Sequence, residues 1–137
     1  KSYTIGADPE IFLYNIKTKK IVSAIDKIPG QKDAPYVEGL PKGYGLQTDN
    51  VLAEFNIPPV QSENDFVENI EFMKNIIRSK AKDIDSDLDV LCVASSKVPL
   101  AELKHPQAKL FGWMQPPHTV MYVENWAITV NKYYLSI

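Results

Sequence analysis

Between residues 46 and 84 the hydrophobic period changes partway along, which restricts the chain to a fold holding both strands and a helix. In LQTDNVLAEFNI (46–57), Val51, Ala53, Phe55 and Ile57 fall on one face and Asn50, Leu52, Glu54 and Asn56 on the other. That period of two belongs to a half-buried strand. Pro58 and Pro59 predict its end. Ser62 then supplies an N-cap, with Glu63 and Asp65 in the first turn, where carboxylates complement the positive end of the helix dipole. From there to about Asp83 or Ile84, Phe66, Ile70, Met73, Ile77, Ala81 and Ile84 recur every three or four residues, and Val67, Phe72 and Ile76 widen the stripe. The spacing predicts a helix covering one face of a sheet, with its Met and Phe side chains in the core.

The other segments read as strands and loops. Tyr3, Ile5 and Ala7 alternate with polar or small residues, and the apolar run 11–13 continues the pattern. NIKTKK (15–20) is a polar connector and IVSAI (21–25) the return strand of a hairpin. The loop 27–45, rich in proline and glycine, is long enough to be a lid or binding loop. LDVLCVASS (88–96) reads as a buried strand carrying Cys92, and 100–112 opens with a short helical turn before Pro106. Residues 120–137, rich in Val, Tyr, Thr and Ile, read as one or two strands. The expected class is α+β, a mostly antiparallel sheet with one long helix on one face, in a single domain over 1–137.

Composition removes several functions. An apolar fraction of 45% and a charged fraction of 23% are those of an ordinary globular chain. No apolar run approaches the roughly 18 residues of a spanning helix, and no signal-peptide layout opens the sequence, so no membrane partner is expected. With a net charge of −2 and lysines scattered rather than blocked, no nucleic-acid partner is expected either. The single Cys92 excludes an intramolecular disulfide and fits a reducing cytoplasm.

The carboxylates carry the chemistry. Asp8 and Glu10 flank Pro9 in the otherwise apolar SYTIGADPEIFLYN (2–15), and on an extended strand they project to one side about 6–7 Å apart. Glu54 and Asn56 share a face in the later strand. If the two strands are adjacent, Asp8, Glu10 and Glu54 make an all-oxygen set suited to Mg²⁺; otherwise they are a solvated acidic face. Lys32, in the long loop, is either a phosphate-facing cation or a solvated lysine. His105 either positions substrate or marks a turn with Pro106, and Ser95 and Ser96 have no base nearby in sequence.

Four segments, GADPEIFL (6–13), IPGQKDAPY (28–36), QTDNVLAEFNIPP (47–59) and HPQAKLFG (105–112), together resemble successive motifs of the phage-encoded amidoligases, carboxylate–amine ligases of the glutamine synthetase and glutamate–cysteine ligase fold. The resemblance covers about residues 2–112 and implies a partial glutamine-synthetase-like sheet bearing an ATP- and Mg²⁺-dependent site. It implies that a carboxylate, on a small molecule or peptide, is phosphorylated and the acyl phosphate attacked by an amine. Asp8 and Glu10 match the first acidic motif and Glu54 the second. The resemblance makes these three the metal ligands and Glu10 and Glu54 the catalytic pair, with Gln47, Asp49 and Asn56 candidates for substrate or metal-bound-water contacts; Lys32, from its place in the loop, joins Gln47 and Asn56 as a candidate cofactor contact.

After Gly112 the sequence departs from the family pattern. Residues 113–137 are atypical, and Arg78 on the helix is the only arginine, whereas ligases of this fold commonly grip phosphates with several. The alternative expectation is therefore a truncated, non-catalytic remnant acting as a metal-binding, interaction or phage structural module. Tyr122, Trp126, Tyr133 and Tyr134 in the tail make a candidate homo-oligomer interface, or equally core.

Overall fold

The acidic N-terminal segment and the long alternating segment lie side by side. In the structure, a computed structural model that describes residues 2–109, the order is β1 (Ile5–Ala7), β2 (Glu10–Asn15), β3 (Lys20–Val22), β4 (Gly45–Asp49), β5 (Leu52–Val60), α1 (Glu63–Ile84) and β6 (Leu88–Leu91). The six strands form one antiparallel sheet, giving the expected α+β class. The pairs Ala7–Ile57, Glu10–Glu54 and Ile11–Ala53 keep one register along β5. The Phe55 N–H donates to the Pro9 carbonyl at 3.1 Å, so the ladder runs through Asp8 and Pro9. On the other side of β5, Gln47 pairs with Glu54 and Thr48 with Ala53. Farther along β2, Leu13–Asn15 pair with β3 and Phe12–Asn15 with β6.

The single strand expected over 46–57 is a hairpin. It turns at Asn50 and Val51, and Asn50 takes a left-handed φ of 53°, which asparagine tolerates better than most side chains. The later strand also continues past Pro58 and Pro59 to Val60. These two residues lack an N–H, and opposite them the register with β1 slips between Ile5 and Ala7.

One face of the sheet meets α1. Leu13, Leu46, Phe55, Met73, Ile77 and Leu88 are fully buried there, and each such side chain contributes roughly 1.5–3 kcal/mol through removal from water. The helix is capped as the sequence predicts, with the Asp65 N–H donating to Ser62 Oγ at 3.0 Å. The apolar stripe is narrower than expected: Met73 is buried, but Val67 and Ile84 are exposed, and Phe72 lies at the margin, edge-on to Tyr44 with ring centroids 5.1 Å apart. The expected strand 88–96 ends at Leu91, and Cys92 is exposed rather than buried because it lies beyond the pairing of β6 with β2.

A smaller cluster joins Ile25, Val51 and Ala108 with Leu52, Val98 and Leu103. Two single-turn 3-10 helices contribute to it: Leu100–Leu103, the short turn expected before Pro106, and a second, Pro106–Lys109. Glu102 anchors the first, its carboxylate accepting from the Ser23 N–H at 2.8 Å. Among the described residues no helix is long and apolar enough to cross a membrane. The strand and interface expectations for 120–137 fall outside the described residues.

Candidate functional site

On β2, Ile11 and Leu13 point into the core, which turns Glu10 to the face away from α1. On β5, Ala53 and Phe55 do the same for Glu54, and on β4, Leu46 and Thr48 do so for Gln47 and Asp49. Glu10, Glu54 and Gln47 thus form one row across β2, β5 and β4. One carboxylate oxygen from each of Glu10, Asp49 and Glu54 lies within 4.8 Å of the other two. Ligand oxygens around Mg²⁺ are about 3 Å apart when adjacent and about 4.2 Å when opposite, and somewhat farther around Ca²⁺, so the three groups share one hard cation once they draw in toward it.

Existing contacts hold this row in place. Gln47 Nε2 donates to Glu54 Oε2 at 2.8 Å. Asp49, 8% exposed, pairs with Lys32 Nζ at 2.7 Å and accepts from Asn50 Nδ2 at 3.1 Å. Lys32 reaches Asp49 because the long loop is bonded along β4: Tyr36 and Leu46 exchange N–H donations at 2.7 and 3.0 Å, and the Thr48 N–H donates to the Gly30 carbonyl at 3.0 Å. The segment read as a lid is, around 30–36, a strap beside the sheet.

Three carboxylates face one ammonium, so the cluster repels itself. The Glu10 carboxyl is raised above its ordinary range, first by loss of surrounding water and then by repulsion from Asp49 and Glu54, with Lys32 opposing. A carboxyl raised on folding binds its proton more tightly in the native state. The destabilisation from ionised Glu10 is therefore fully present above the raised pKa and is relieved as pH falls through it. Glu10 is exposed and solvent screens much of this repulsion, so Glu10→Gln is expected to stabilise the protein at pH 7 by no more than about 0.5 kcal/mol, with the gain shrinking toward pH 4. Urea titrations at pH 4, 5.5 and 7 measure it, and a loss of stability at pH 7 contradicts it.

The sequence candidates divide on this face. Glu10 and Glu54 converge. Asp8 is exposed and lines a neighbouring cleft of about 210 Å³ with Gln47, Glu54, Phe55 and Asn56, but stands outside the three-carboxylate set. Asp49 completes that set. It lies beside the row because the chain turns at Asn50, and an asparagine followed by a return to alternating apolar residues is the signal that marks the turn. Asn56 lines the cleft while its Nδ2 donates to the Gly43 carbonyl at 2.9 Å. His105 Nδ1 accepts from the Gln107 N–H at 3.1 Å, the turn-marking arrangement. Arg78 is taken up on the helix, Nε bonding Asp89 at 2.7 Å. Comparison with protein-family models, with curated proteins and with solved structures finds no match.

Proposed function

We propose that the acidic row binds a divalent cation, Mg²⁺ by donor type, and that the domain is an ATP- and Mg²⁺-dependent ligase joining a carboxylate to an amine. The observation that carries the cation is the convergence of Glu10, Asp49 and Glu54 from three separate strands. The ligase assignment rests on the four sequence motifs. Bound ATP supplies the phosphoryl group that activates the carboxylate. Glu10, Asp49 and Glu54 hold the ion, Gln47 orients Glu54, and Asp8 and Asn56 line the cleft beside it. Lys32, once released from Asp49, is the cation available to a phosphate. The substrates are a small-molecule or peptide carboxylate and an amine, handled in the cytoplasm.

Calorimetric titration with Mg²⁺ and Mn²⁺ tests the site, and Glu54→Gln is expected to weaken binding about ten-fold. Equal affinity of wild type and variant removes the site. The ligase reading predicts ADP release when ATP, Mg²⁺ and a mixture of amines and carboxylates are supplied, and loss of that release in Glu54→Gln. A second reading, a metal-holding module without catalysis, is favoured by the commitment of Arg78 to Asp89 and of Lys32 to Asp49. Metal binding without ADP release selects it.

A further inference from the structure

A second cleft, of about 470 Å³, is lined by Tyr14, Lys19, Lys20, Ile21, Ser96, Lys97 and Pro99. We propose that it binds a small organic anion with an aromatic or aliphatic body, of the aryl phosphate type. The volume falls in the range of small-molecule sites, roughly 300–1,000 Å³. Tyr14 and Pro99 give it apolar walls, the nearly buried Ile21 adds to its floor, and Lys19 and Lys97 stand at its edge, with Lys20 alternating to the other face of β3. Among the described residues, none of these lysines has a carboxylate within salt-bridge distance. Lys19 and Lys97 bring like charge to one concavity, and an anion offsets it while its body covers the walls.

The backbone adds an independent observation. Lys19 closes the connection between β2 and β3 at φ 59°, the left-handed conformation that glycine adopts without strain. A side chain bearing a charge occupies a turn position suited to glycine, and that side chain lines the cleft. Tyr14 and Glu10 share a face of β2 four residues apart, about 13 Å, so the cleft stands apart from the acidic row and does not rest on the cation reading.

The probes are 1-naphthyl phosphate, inorganic phosphate and 1-naphthol, followed by backbone amide NMR on the full chain. The first is expected to shift the amides of Tyr14, Ile21 and Ser96 and to bind at least ten-fold more tightly than either of the others. Lys19→Gly and Lys97→Gln are each expected to weaken it at least three-fold. The melting temperature of Lys19→Gly is expected to be unchanged or higher, which separates lost charge from lost fold; should that variant unfold, Lys97→Gln decides. Equal binding of inorganic phosphate reduces the site to surface charge, and equal binding of 1-naphthol reduces it to an apolar groove. Either result, absence of shifts at millimolar probe, or undiminished binding by the folded variants overturns the proposal.

Discussion

Gly30→Ala is expected to remove more than about 3 kcal/mol of stability and to free the strap that carries Lys32. Gly30 has φ +90°, and a Cβ there meets the Leu46 carbonyl oxygen at 2.1 Å and the Tyr36 nitrogen at 2.6 Å. Both are backbone atoms of the Tyr36–Leu46 bridge, so neither moves without opening the hydrogen bonds that hold the loop. The left-handed conformation alone costs about 1–2 kcal/mol for a residue with a Cβ, and each opened backbone bond adds about 1 kcal/mol. Gly39→Ala separates the two contributions, since φ there is +71° but nothing lies within 4 Å, and only the conformational part is expected. Urea unfolding measures both variants. Limited trypsin digestion reports the strap directly, through cleavage after Lys27 and Lys32 at urea concentrations where the wild type resists. A Gly30→Ala protein within about 1 kcal/mol of wild type contradicts this account.

The sequence conveys periodic features well and local reversals poorly. The helix from Ser62 onward was legible because its cap and its three-to-four spacing are both local signals. The hairpin 45–60 was not, because the inward phase shifts from even positions (Leu46, Thr48) to odd ones (Ala53, Phe55, Ile57) across the turn, and with Thr48 polar only Leu46 carries the earlier phase, so Asn50 is left as the local mark. The sequence therefore offers Asp49 as a substrate or metal-water contact and not as a member of the carboxylate set, because its approach to Glu10 depends on β4 folding back beside β5. Glu10 and Glu54 were legible as a pair because each alternates with buried neighbours, Ile11 on one strand and Ala53 and Phe55 on the other. Lys32 could not be placed from sequence at all. Its contact with Asp49 depends on Gly30 and Tyr36 docking on β4, a tertiary arrangement with no periodic signature.

Lys32→Met is expected to cost about 2–3 kcal/mol in metal-free buffer at pH 7, and millimolar Mg²⁺ is expected to restore most of it. Asp49 is 8% exposed, and without the ammonium at 2.7 Å its charge stays desolvated beside Glu10 and Glu54. Removing one partner of a fully buried pair costs roughly 3–5 kcal/mol, and the 31% exposure of the Lys32 side chain lowers the figure here. The loss is expected to shrink with acid. Without Lys32 to oppose it the Glu10 carboxyl is raised further on folding, so its penalty is present above the raised value and fades as pH falls through it. A divalent cation relieves the same repulsion by another route, and an ion at 100 times its Kd stabilises by about 2.7 kcal/mol. The variant should also bind Mg²⁺ more tightly than wild type, because Lys32 no longer competes for Asp49. Asp49→Asn in the Lys32→Met background removes the stranded charge and is expected to recover stability without metal while losing the response to Mg²⁺. If Lys32→Met unfolds at the wild-type urea concentration, with and without Mg²⁺, Lys32 is not the counter-ion of this cluster, and the acidic row tolerates its own charge through solvent alone.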